Sequence, residues 1–221
     1  MSSKSWLRLL KDLHKAFVRK PFFRSRARRL SLLRLEPLED RRLLAMLMVT
    51  NTFDSGVGSF RQAIIDSNSS LGTRETIDFA IPTSDPGYNS VTNAFTIKPS
   101  YSNFYALPPI TDPVDIDGYS QSGASPNTLP VGDNAVLKIE ISGANTSLND
   151  YAVGLNISAG NTTVRGLVID GFTDGGIYLV TNGSNVIQGN FIGTDVTGTV
   201  GVGGGLWGIY TESNNNIIGS Q

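Results

Sequence analysis

Asp115 and Asp117, in the run Val114-Asp-Ile-Asp-Gly118, are the acidic pair whose spacing most invites chemistry. In an extended segment residues i and i+2 point to the same side. Both carboxylates would therefore share one strand face, where they could hold a hard cation through oxygen. The downstream glutamate that completes a calcium loop is missing, however. Asp170-Gly171 and Asp174-Gly175 read as ordinary turn dipeptides. The chain has no cysteine and a single histidine, His14, close to its N-terminus. Thiol chemistry and thiolate metal sites are thereby excluded. These residues assign no catalytic group and call for no cofactor and no metal. Tyr178, Trp207 and Tyr210 offer another chemistry, because rings spaced along a flat sheet can stack on sugar faces while presenting a polar tip. The same rings suit, as the simpler reading, a ladder that merely covers the sheet.

The elements that would position these residues announce themselves by repetition. GLNI at 154–157 recurs as GIYL at 176–179 and GIYT at 208–211, with NTTVRGLVI (161–169), SNVIQGNFI (184–192) and NNNIIG (214–219) between and after them. The first interval is 22 residues and the second 32, the surplus matching the low-complexity stretch 196–205. AVLKIEISG (135–143) and VDIDG (114–118) mark earlier copies. A period near 22 suits a coil of three short strands. Within each, apolar and polar residues alternate: Leu155, Ile157, Ile177 and Leu179 inward, Asn156 and Tyr178 outward. One coil cannot bury its inner face, so a core requires stacked coils. Asn161, Asn185 and Asn215 fall at comparable turn positions, where stacked amides would bond along the axis. Gly154, Gly176 and Gly208, and again Gly166, Gly189 and Gly219, are expected at tight corners with positive φ. The alternation excludes an α-solenoid, and a β-sandwich would not explain the spacing.

Residues 48–68 open with a strand-like Val49–Thr52 run and a Gly-rich turn. Ser59 then serves as N-cap, with Gln62 completing a capping-box pattern, Phe60, Ala63 and Ile64 on one face, and Asn68 as a stop. A strand follows at 76–82, and 83–110 reads as a surface excursion around one more strand, Phe95 to Lys98. A helix laid over the first coil would cover its open strand edges, and Arg61 is read as a structural part of that cap. Strand, short helix and strand resemble the N-terminal cap of many bacterial β-helix proteins, whose motif ends in Leu-Arg-Glu-Ala-Ile; the matching stretch here is Gly58 to Ile64, without the cysteine some of them carry. With the repeats, this resembles the pectin-lyase-like right-handed parallel β-helix. The resemblance implies an all-β solenoid with a short N-terminal capping helix. That family includes polysaccharide hydrolases, which use clustered aspartates with a histidine, and lyases, which use carboxylates around calcium and a basic residue. Carried over, the lyase pattern would draw on Arg165, Asp170, Asp174 and Asp195, with Asp115 and Asp117 a coil or two away. No Asp-Asp pair occurs and His14 lies outside the coils. The expectation is a structural or adhesive module with weak carbohydrate binding; the alternative is part of a polysaccharide-acting lyase or hydrolase whose active coils lie beyond residue 221.

Charge divides the chain further. Residues 1–45 hold 13 of the 18 Lys and Arg and 4 of the 19 acids, leaving 5 basic and 15 acidic residues for 46–221. The acidic body opposes nucleic acid, whose phosphates it would repel, and no run is long enough for an integral membrane span. The basic segment reads either as a solvated, flexible or partly helical tail or as an Arg-rich address. LEPLEDRRLLA at 35–45 resembles the N-terminal sorting motif of large exported proteins of planctomycete bacteria. That resemblance implies export to the cell surface or beyond, with processing near Ala45. The expected organisation is thus a sorting segment (1–45), a cap (46–110) and β-helix coils (111–221). The last copy, Asn214 to Gln221, stops part-way through a coil, which leads us to expect further coils or self-association through an open C-terminal edge. Surface polysaccharide is the other expected partner.

Overall fold

The computed structural model describes residues 46–70, 72–100, 105–147, 152–203 and 205–219; what was expected of the leader lies outside them. Short strands return to the same three lines. Sheet one stacks β1 (Met46–Val49), β2 (Glu75–Phe79), β5 (Val114–Asp117), β8 (Thr163–Arg165), β11 (Val186–Gln188) and β14 (Ile217–Ile218). Sheet two contains β3 (Tyr88–Asn89), β4 (Ala94–Ile97), β6 (Ile139–Ser142), β9 (Leu167–Asp170) and β12 (Phe191–Ile192). Sheet three contains β7 (Val153–Ile157), β10 (Gly175–Leu179) and β13 (Trp207–Thr211). Neighbouring strands are parallel throughout, except for the small β3–β4 hairpin. From β7 onward the chain visits sheets three, one and two in turn, one circuit per coil. This is a parallel β-helix.

Register follows the repeat. Leu155, Ile177 and Ile209 are partners in sheet three, so intervals of 22 and 32 residues both advance the chain by one rung. The ten extra residues leave as a loop at the corner between β12 and β13 and return without disturbing the pairing. Leu155, Ile157, Ile177 and Leu179 point inward, fully buried, and meet Val164 and Ile187 from sheet one and Leu167 and Ile169 from sheet two in one continuous core.

Two expectations about the corners need correction. The amide ladder is shifted by one residue: Asn185 stacks between Thr162 and Asn216, not between Asn161 and Asn215. Thr162 N donates to Asn185 Oδ1 (3.1 Å), and Asn185 donates through N and Nδ2 to Asn216 Oδ1 (3.0 Å each). Asn161, Ser184 and Asn215 are the residues just before, each in the left-handed region (φ 48°, 64° and 60°). Gly166, Gly189 and Gly219 do have positive φ. Gly154, Gly176 and Gly208 do not: they lie inside sheet-three strands, where a side chain on Gly154 or Gly176 would strike the next coil, while one on Gly208 would make only ordinary contact with Ile192.

Helix α1 (Phe60–Ser69) caps the first coils, burying Phe60, Ala63, Ile64 and Ser67. Ser59 Oγ accepts from Gln62 N (3.2 Å), as an N-cap should, but the Gln62 side chain donates to Asp66 Oδ1 (2.8 Å) rather than back across the box. Asn68 fastens the helix end to the next corner through Pro109 O and Thr111 N (2.8 Å each). Arg61 ties the cap together, bonding Asp54 and the carbonyls of Ser100 and Ala106. The strand expected from Phe95 to Lys98 is β4, a buried rung paired with β6 rather than part of a surface excursion.

Candidate functional site

Asn156, Tyr178 and Tyr210 are register partners in sheet three. Asn156, expected to face outward, is buried, so Tyr178 and Tyr210 are the members of this column that reach the surface. The Tyr178 and Tyr210 rings meet edge to face, centroids 5.2 Å apart at 62°, and Trp207 lies 5.1 Å from Tyr210 at 42°. The tyrosine pair sets a ring edge against a ring face, the Trp207–Tyr210 pair is tilted, and together they gather the three rings into one strip. The indole rests on Gly175, where a Cβ would come within 2.5 Å of it, and its Nε1 is buried without an acceptor. Trp207 can therefore offer a ring surface but not its N–H. Tyr210, 40% exposed, donates from its hydroxyl to Glu212 Oε1 (3.2 Å). Burial first, and then the Glu212 carboxylate, raise the Tyr178 phenol above its ordinary value. It remains a hydrogen-bond donor at neutral pH.

The acidic candidates are divided between faces. Asp115 and Asp117 share the outer face of β5, but Arg74 pairs with Asp115, and Arg165 Nη2 donates to Asp117 Oδ2 at 2.7 Å. The bond to Asp117 raises Arg165 above even its ordinary pKa, which disfavours proton abstraction. Asp170 ends β9 in sheet two, while Asp174 lies in the following corner. Asp195 braces the inserted loop by accepting from the Thr197 hydroxyl (2.7 Å), a contact that holds its carboxyl below the usual value. Arg165 and the Asp170 group thus belong to different sheets. Among the described residues, no three His, Asp or Glu side chains are placed to hold a metal ion, and no helix is long and apolar enough to cross a membrane.

Sequence reasoning missed a groove of about 590 Å3 on the outside of sheet one. One side is formed by Tyr119, Arg165 and Gln188, the other by the loop around Asn127 to Gly132. That loop lies between the repeats, so the periodicity carried no signal for it.

No protein-family model, curated protein or solved structure matches this chain. The site must be judged on its own chemistry.

The most perturbed of its acids is Asp170, only 3% exposed. Burial, then the hydrogen-bonded Glu140 carboxyl beside it, push its pKa up to about 7. The folded protein therefore holds this proton more tightly than the unfolded chain, where the group titrates near 3.8. Its stabilising contribution is complete below that value and is lost as pH rises through about 7. Between pH 5 and pH 8 the melting temperature of wild type should fall relative to an Asp170→Asn variant, by an amount corresponding to about 2 kcal/mol. A difference between the two that stays constant with pH would refute the assignment.

Proposed function

We propose that this chain is an exported structural or adhesive β-helix module that holds surface polysaccharide along the Tyr178–Tyr210–Trp207 strip. The observation that carries this reading is the strip itself: three contacting aromatic side chains, gathered from two coils, on the outer face of a sheet. Sugar rings have apolar faces and hydroxyl rims, and aromatic surface bordered by phenol hydroxyls and the Glu212 carboxylate complements both. Rigid rings cost little entropy to present. Export rests on the resemblance of residues 35–45 to a sorting motif.

Titration calorimetry with neutral hexasaccharides of glucan and chitin type tests the proposal. The Tyr178→Ala/Tyr210→Ala variant should bind about tenfold more weakly, a loss of about 1.4 kcal/mol. Unchanged affinity in a folded double variant would remove the strip as the site. The competing reading, a polysaccharide-acting enzyme, draws on the Glu140–Asp170 pair, since a carboxyl poised near neutrality suits general acid–base work. Cleavage of a pectin-like polymer that disappears on Asp170→Asn would favour it.

A further inference from the structure

Tyr119 follows the end of β5 and lies along two successive corners. A Cβ on Gly166 would come within 2.9 Å of its ring, and one on Gly189 within 2.5 Å of its hydroxyl. Its hydroxyl donates to Gly189 O at 2.7 Å, which fixes the ring across the coils. The ring borders the groove outside sheet one. Arg165 and Gln188, register partners on β8 and β11, stand beside it.

Arg165 gives one N–H to Asp117 and has further donors in its planar fork. The Gln188 amide has no partner among the described residues and offers both donor and acceptor. The opposite wall is braced from within. Asn127 Nδ2 donates to Gly132 O (3.1 Å), Asn127 Oδ1 accepts from Leu129 N (3.0 Å), and Asn134 Oδ1 accepts from Thr128 N (2.8 Å). Pro126 and Pro130 stiffen it further. A preformed wall avoids the cost of ordering a loop on binding. A volume of about 590 Å3 lies within the range of small-molecule sites.

We infer that this groove is a second carbohydrate site, taking a short run of uncharged sugar residues against Tyr119 with hydroxyls on Arg165 and Gln188. An aromatic surface beside planar polar side chains is the chemistry a pyranose ring requires. Charge selects the class of sugar. Among the described residues the only cation bordering the groove is already paired with Asp117, and residues 46–221 carry 15 acids against 5 bases, so a uronate chain would meet a repelling field. The inference rests on the polysaccharide-binding reading and extends it. With sites on sheets one and three, each module engages two chain segments and cross-links them, gaining avidity without new contacts.

Calorimetry with the same neutral hexasaccharides, and with polygalacturonate oligomers for comparison, separates the two claims. The expected stoichiometry is two per chain in wild type. It should fall to one in Arg165→Ala/Gln188→Ala and to one in Tyr178→Ala/Tyr210→Ala, with circular dichroism showing both variants folded. A wild-type stoichiometry of one, abolished only by the tyrosine changes, would overturn the second site and leave the strip standing. A stoichiometry of one abolished only by the Arg165/Gln188 changes would keep the groove and remove the strip. Tighter binding of polygalacturonate at the groove would overturn the selection for neutral sugars, and binding of no glycan would overturn both sites.

Discussion

Replacing Asn185 by alanine is expected to destabilise the protein by about 3 kcal/mol. Asn185 is fully buried at the corner between sheets three and one. Its Oδ1 accepts from Thr162 N in the coil before, and its Nδ2 donates to Asn182 O and to Asn216 Oδ1 in the coil after. Alanine cannot replace these bonds, and the Thr162 N–H would remain buried without an acceptor. An orphaned buried donor costs the full desolvation penalty rather than the small net worth of a bond. Equilibrium urea denaturation would measure the loss. A change under about 0.5 kcal/mol, the size of an ordinary surface substitution, would mean that the amide ladder does not hold the coils together.

The placement of that ladder shows how far the sequence could be read. Pairing in sheet three was legible, because inward positions demand large apolar side chains and a slip of one residue would turn Leu155 and Ile157 outward. No comparable penalty marks the corner. Asn161, Asn185 and Asn215 look equivalent by residue type, yet Ser184 is the true counterpart of the first and last, since what they share is a left-handed backbone. Backbone conformation is only weakly encoded when Asn, Ser and Gly can all adopt it. The aromatic strip was visible because its members sit on the repeat itself. The loop facing Tyr119 was not, because irregular segments carry no period to read.

The glycines inside the strands yield the second strong expectation. Gly176→Ala should destabilise the protein by about 3 kcal/mol, the upper part of the range for overpacking. Its new methyl carbon would lie 2.5 Å from Ile192 Cγ2 and 2.7 Å from the Gly208 carbonyl. Ile192 is β-branched with a stiff χ1, and the carbonyl belongs to the paired rung, so neither yields cheaply. Gly201→Ala provides the contrast: it sits in the inserted loop with nothing within 4 Å of an added Cβ, and should be nearly neutral. For a body of this size the two variants should differ in Tm by about 6–12 °C. If they melted together, steric closeness would not be the reason for glycine at 154 and 176.

A rod whose rungs are joined by hydrogen bonds parallel to its own axis responds to pulling in a particular way. Each circuit, such as the 22 residues from Leu155 to Ile177, contributes one strand spacing of length, about 4.8 Å. Axial tension falls on the bonds between rungs, because the covalent backbone runs around the axis rather than along it. Releasing one coil would convert that short rise into as much as about 75 Å of extended chain. Under load the solenoid would pay out hidden length one turn at a time, dissipating work at each step before any covalent bond became taut.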